Sequence, residues 1–304
     1  MLRRRLGSIA LAATVLAVAA TAGCSTAPEV HVTRDLTMPS GRGQQLQADA
    51  YFTSATPTTG TPKTRPAIVM VHGGAWTTGD KDDLSGLARK FAAAGFVAVT
   101  VNYDLAGPDR YPHQIEDCQA WVRYVQEHAT ELGIDARRVG LFGVSAGGNL
   151  VMLVGTEGSG DPALPPIRAV AAWSGMSDLT VLAPPDGQPH PADPPAGCMG
   201  QAICIGISSP GAFTDFLGCT LRQCPKRYAA ASPVNAVTAV TPPMYLTSAE
   251  TDFAPFDQSQ RMAAVLTAKG VGAEAVAVPG AGHAETLESK ALTPTIEFFR
   301  RSLA

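Results

Sequence analysis

Two short stretches carry side chains whose types and spacing can do chemistry. The first is LFGVSAGGNL, residues Leu141 to Leu150, in which Ser145 stands between Gly143 and Gly147. An apolar run precedes the serine and a helix-forming run follows it. The hydroxyl therefore falls at a strand-to-helix turn, with small flanking residues that let a sharp turn pack closely. A G-x-S-x-G pattern alone discriminates little. The second stretch is His72-Gly73-Gly74-Ala75-Trp76, which also follows an apolar run. Acyl transfer to a serine needs N–H donors aimed at the oxygen that turns negative as a carbonyl becomes tetrahedral, and glycines let bare backbone approach it. The N–H groups of Gly74, Ala75 and Ala146 would form a three-donor hole, each donor worth about 3 kcal/mol in the transition state. The competing reading is an ordinary glycine turn, with His72 bonded locally and Trp76 in the core.

A serine hydroxyl needs a neighbouring base to become nucleophilic. Of the six histidines, His31 belongs to a first strand, His72 to the glycine motif, His113 and His128 to a helical region, and His190 to an irregular insertion. That leaves His283 in VPGAGHAET, where Gly280 and Gly282 let the loop bend over the turn at Ser145. The imidazole in turn needs a carboxylate that fixes its tautomer and stabilises the imidazolium. Asp252 is favoured, because it follows the apolar run MYLTSAE and precedes Pro255. Glu250, still within that run, and Asp178, after a different one, stay open as alternatives. Asp257 falls inside the next helix.

The elements that must position these groups alternate. After two strand-like segments, around Val30 to Met38 and Leu46 to Phe52, come the strand AIVMV, a helix from Asp82 to Ala94 and the strand FVAVTVNY. A helix over His113 to Leu132, closed by Gly133, precedes the strand VGLFGVS and a helix from Ala146 to about Gly155. The strand AVAAWSG, an interruption, the strand MYLTSAE, a helix over Phe256 to Lys269, the strand EAVAVPG and a helix near Glu285 to Leu303 complete the chain. Continuous apolar strands alternating with helices imply an α/β architecture, a mostly parallel sheet covered on both faces. Sites in such sheets lie beyond the carboxyl ends of the strands. The interruption, residues 179–231, is rich in proline and glycine and reads as a small cap over those ends.

At 304 residues, 45% hydrophobic and 16% charged, the chain can bury one sizeable core. A formal charge of -3, without a basic cluster in the body, leaves no electrostatic footprint for nucleic acid. Residues 1–23 read as an export signal: Arg3, Arg4 and Arg5 precede an apolar segment from Ile9 to Ala20 that is short for a membrane span. Ala22-Gly23-Cys24 resembles the end of a lipobox, which would make Cys24 a lipidated mature N-terminus and leave residues 24–304 at the membrane of the cell envelope. Cleavage after Ala20-Thr21-Ala22, giving a soluble secreted form, is the alternative, and an uncleaved anchor is the third reading. Export also permits disulfides. Cys198, Cys204, Cys219 and Cys224 cluster in the cap and are expected to form two bridges whose connectivity stays open. Cys118, on the apolar stripe of its helix, is expected to be a buried thiol. The cysteine spacing is a poor match to a zinc site, and no metal is expected.

With these stretches in hand, the sequence resembles the α/β-hydrolases. It is most similar to esterase branches with HGGG or HGGXW motifs: hormone-sensitive-lipase-like, acetyl- or feruloyl-esterase-like and kynurenine-formamidase-like proteins. HGGAW, NYDLA, PHQIEDCQAWVRYV, GVSAGGNL, SGMSDL, AASPV, TSAETDFAPFDQSQRM and PGAGH occur in family order, from Leu46 onward. The resemblance implies Ser145 as nucleophile, His283 as base, Asp252 as acid, and Gly74 and Ala75 as oxyanion donors. It further implies hydrolysis of a small-molecule carboxylic ester through an acyl-enzyme, without metal or organic cofactor. An amide or formamide hydrolase is the near alternative. A non-catalytic envelope lipoprotein using the fold as a binding scaffold is the distant one. Asp104 departs from the pattern, since such families often carry arginine there.

Overall fold

The computed structural model describes residues 28–54, 64–107, 110–158, 160–186 and 211–304. Eight strands form one sheet in the order β1-β2-β4-β3-β5-β6-β7-β8. They are β1 (Val30–Pro39), β2 (Gln45–Thr53), β3 (Arg65–Val71), β4 (Val97–Val101), β5 (Ile134–Val144), β6 (Ala169–Trp173), β7 (Met244–Thr251) and β8 (Ala273–Ala281). β1 and β2 pair antiparallel, β2 runs antiparallel to β4, and every pairing from β4 through β3 to β8 is parallel.

The apolar runs of β3 to β6 follow from burial on both faces. Along β3, Val69 and Val71 join one core, while Ile68 and Met70 join the other. The first core is completed by helices α2 (His113–Glu127), α4 (Ala146–Glu157) and α8 (Phe256–Ala268), through Trp121, Leu150 and Met262 among others. The second is completed by α1 (Ser85–Ala93) and α9 (Glu288–Ser302), where Phe91 and Phe299 pack on Phe96 and Phe142. Since successive strand residues point to opposite faces, a sheet sandwiched in this way buries the side chains of both faces. This is the α/β-hydrolase arrangement expected of the sequence.

The chain passes from β3 to β4 on one side and then to β5 on the other. The strand order thus reverses between β3 and β5, the point at which open α/β sheets form a crevice beyond the carboxyl ends of their strands. His72 follows β3 and Ser145 follows β5, so both expected motifs flank that crevice.

Three helix expectations need correction. The helix over His113 to Leu132 is broken at His128, giving α2 and a single turn, α3 (Ala129–Leu132), which Gly133 closes at φ 65°. The imidazole of His128 stacks on Tyr124 and lies 2.8 Å from its carbonyl oxygen, taking up a helix-end acceptor there. The last helix begins at Glu288, because Ala284–Leu287 forms a 3-10 turn capped by His283. The helix expected from Asp82 likewise opens with a 3-10 turn, Lys81–Leu84, capped by the Asp80 carboxylate.

The insertion between β6 and β7 contributes three short helices among the described residues: α5 (Leu179–Leu182), α6 (Ala212–Leu217) and α7 (Pro225–Ala230). The disulfide Cys219–Cys224 closes the turn between α6 and α7, and Cys118 is a free, buried thiol. Residues 1–23, Cys24, His190, Cys198 and Cys204 lie outside the described residues. The Asn149 side-chain amide, in the first turn of α4, donates to the carbonyls of Met176 and Ala231, one at each side of the insertion.

Candidate active site

Ser145 occupies the step between β5 and α4 with φ 54° and ψ −121°, a conformation that costs a non-glycine residue of order 1–3 kcal/mol. Its backbone N–H donates to Trp173 O at 2.8 Å, and Asn149 N returns to Ser145 O at 3.1 Å. The glycines on either side are there for contact. A Cβ on Gly143 would overlap the Gly147 carbonyl, and one on Gly147 would overlap the carbonyls of Val71 and His72. Larger residues would push α4 off the sheet and undo the turn.

The glycine motif lies against this serine: a Cβ on Gly73 would stand 3.1 Å from Ser145 Cβ. Gly74, Ala75 and Trp76 all adopt positive φ, at 105°, 53° and 62°. The Gly74 carbonyl accepts from the N–H groups of Thr77 and Thr78, which curls the loop on itself. His72 is buried, stacked on Tyr103 at 4.5 Å, with Nδ1 2.7 Å from Gly73 O, and burial lowers its pKa. A neutral ring here braces the loop without adding charge. Trp76 is also buried, stacked on Phe216 of α6 at 4.4 Å with the rings 2° from parallel, and its carbonyl accepts from Ala106 N at 2.7 Å. The insertion therefore clamps the motif through an aromatic pair.

Ala106 belongs to the NYDLA loop, and the charge at Asp104 finds its answer there. The Asp104 carboxylate pairs with the Arg42 guanidinium, carried by the β1–β2 hairpin, while Asp104 N donates to Asp117 Oδ2 at 2.9 Å. The guanidinium thus reaches this loop from another part of the chain. Burial pushes the Asp117 pKa up to about 6, against the hydrogen bond from Asp104 N and the pull of Arg42, with the neighbouring Asp104 charge adding to the rise.

The remaining groups follow β6, β7 and β8. His283 Nδ1 is 2.8 Å from Asp252 Oδ1, and both side chains are buried. Asp252 Oδ1 also accepts from Ala254 N at 2.9 Å, and Oδ2 accepts from the Ser174 hydroxyl at 2.6 Å. Ser174 Oγ accepts in turn from Ala284 N at 2.9 Å, so one hydroxyl joins the loops that carry Asp252 and His283. Sequence reasoning missed Ser174. The signal was its place at the end of β6 in the SGMSDL stretch, one residue past the Trp173 carbonyl that holds Ser145. The two alternative carboxylates are engaged elsewhere: exposed Glu250 accepts from Gly280 N, and Asp178 caps α5 through Thr180 N. Glu285, two residues beyond His283, has its pKa raised by burial.

Ser145 Oγ and His283 Nε2 are both buried and have no hydrogen-bond partner among the described residues. A strained serine follows β5, a carboxylate-bound imidazole follows β8 and a curled glycine loop follows β3, all at the carboxyl ends of the parallel strands. These are the kinds of group that acyl transfer through a serine uses.

The fold is that of an α/β-hydrolase. The BD-FAE family model matches residues 55–266, and the chain belongs to that family. It is 37% identical to Carboxylesterase NlhH of Mycobacterium tuberculosis over 119 residues, 38% of this chain and 37% of that one. It is 28% identical to Esterase LipC of the same organism over 235 residues, 73% of this chain and 53% of that one. The chain thus spans about a third to a half of the length of these curated relatives. Among solved structures, a truncated form of a carbohydrate esterase from gut microbiota shares the fold with a TM-score of 0.72 at 21% identity, covering 91% of this chain and 97% of that one.

Proposed function

We propose that the protein is a serine carboxylic-ester hydrolase acting on small-molecule esters. The observation that carries this reading is the buried His283–Asp252 pair at the same carboxyl end of the sheet as the strained Ser145. Ser145 attacks the acyl carbon as His283 Nε2 takes its proton, and Asp252 holds the imidazolium. The N–H groups of Gly74, Ala75 and Ala146 receive the oxyanion. His283 then returns the proton to the departing alcohol, and water, activated by the same imidazole, releases the acid. The esterase names of the curated relatives support the choice of ester over amide. Steady-state hydrolysis of p-nitrophenyl esters by wild type and Ser145→Ala tests it. The variant should lose several orders of magnitude in kcat while keeping its fold, and a loss within tenfold would contradict the assignment.

The amino end of the chain is read as exported, with Cys24 lipidated. β1 starts at Val30, paired with Thr53 at the amino edge of the parallel strands, opposite the crevice. The link from Cys24 to Val30 spans at most about 20 Å. An anchor at Cys24 would hold that far edge towards the membrane and leave the site facing away, open to substrates in the aqueous phase. Intact mass spectrometry of envelope-derived protein tests the lipid. A diacylglyceryl adduct at Cys24 supports it, and an unmodified chain starting at Gly23 in the medium overturns it.

A further inference from the structure

Asp252, Phe253 and Ala254 form a tight turn in which Ala254 N donates to the same carboxylate oxygen that lies beside His283 Nδ1. The residue in the middle of that turn aims its ring at the imidazole. The centroids of Phe253 and His283 are 3.8 Å apart, with the planes tilted by 43°. Phe253 is half-buried, its ring shared between the edge of the core and His283.

The contact answers two needs that the Asp252 hydrogen bond leaves unmet. One hydrogen bond at Nδ1 fixes the tautomer but lets the ring rock about the bond to its Cβ, which swings Nε2 through an arc. A phenyl ring packed against the imidazole limits that swing. The second need is electrostatic: the imidazole becomes a cation in each transition state, and a cation within about 6 Å of an aromatic centroid gains from the negative ring face. The gain exists only while the proton is on the imidazole, so it lowers the barrier without tightening ground-state binding.

We propose that Phe253 is a positioning residue that holds the His283 ring and stabilises its protonated form; this rests on the reading of His283 as the base. Its test compares Phe253→Leu, which removes the ring, with Phe253→Tyr, which keeps it. Two readouts are taken: kcat and KM on a p-nitrophenyl ester, and the low-field proton resonance of the His283 Nδ1–H bonded to Asp252. Phe253→Leu should lower kcat about two- to thirtyfold at unchanged KM and broaden or shift that resonance. Phe253→Tyr should stay within twofold of wild type and keep the resonance. If Phe253→Leu fails to fold, Phe253→Met, which keeps volume without a ring, carries the same expectation. A leucine or methionine variant with wild-type kcat and resonance overturns the proposal, as does an equal loss in the tyrosine variant or a loss in KM alone. Wild-type protein that hydrolyses no ester overturns the hydrolase reading instead, and the resonance still reports whether Phe253 holds the ring.

Discussion

The Ser174 hydroxyl donates to Asp252 Oδ2 at 2.6 Å while accepting from Ala284 N, the residue after His283. One small side chain thereby ties the β7 loop to the β8 loop, and it stands in the strained conformation φ 50°. Removing it should leave one oxygen of a buried carboxylate and one loop N–H without partners. Ser174→Ala is expected to lower kcat about ten- to a hundredfold. Ser174→Gly, which relieves the strain but also lacks the hydroxyl, should lose as much; steady-state kinetics that found the glycine variant unimpaired would remove the hydroxyl from the account.

The carboxylate assignment has its own ranking. Asp252→Asn should cripple turnover by several orders of magnitude, because the amide can hold His283 in the wrong tautomer. Glu250→Gln and Asp178→Asn should cost far less, since their carboxylates serve Gly280 N and the cap of α5. Comparing kcat/KM for the three variants checks this, and a dominant loss at Asp178 would shift the acid to the β6 loop.

Much of this site was legible in the sequence, and the reason is local. Ser145 and His72 announce themselves because a strained turn and a close backbone approach demand glycine within two or three residues of the reacting group. Asp252 and His283 followed from strand ends and chain order. Ser174 and Phe253 stayed hidden because their roles depend on contacts between loops, and neither serine nor phenylalanine is unusual where it stands. The Arg42–Asp104 pair was unreadable for the same reason: its partners are 62 residues apart on a hairpin and a loop. The break at His128 was missed because the apolar stripe runs on past a helix end set by one side-chain contact.

That pair gives a prediction about stability. Arg42→Gln and Asp104→Asn should each destabilise the protein, and the double variant should lose less than their sum. The coupling expected in a double-mutant cycle is about 1 to 3 kcal/mol. Chemical denaturation of the four proteins measures it, and simple additivity would show that the ion pair contributes nothing.

Asp117 predicts a pH dependence. Its pKa is raised from 3.8 to about 6 in the folded protein, so the native state holds this proton more tightly than the unfolded chain does. The associated stability is fully present below about pH 4 and is lost as pH rises to about 6, amounting to up to about 3 kcal/mol. Asp117→Asn removes that loss. The variant should therefore gain on wild type between pH 4.5 and pH 7.5 in denaturant titrations, and a difference independent of pH would contradict the assignment.

The most direct measurement is covalent. A fluorophosphonate reacts with a serine only when a base takes its proton and donors receive the developing negative oxygen, so it tests the triad and the glycine loop together. Digestion and mass spectrometry of the treated protein should find the adduct on Ser145, with labelling abolished in His283→Ala. A folded wild-type protein that stays unlabelled, or one labelled at another serine, would contradict the hydrolase account.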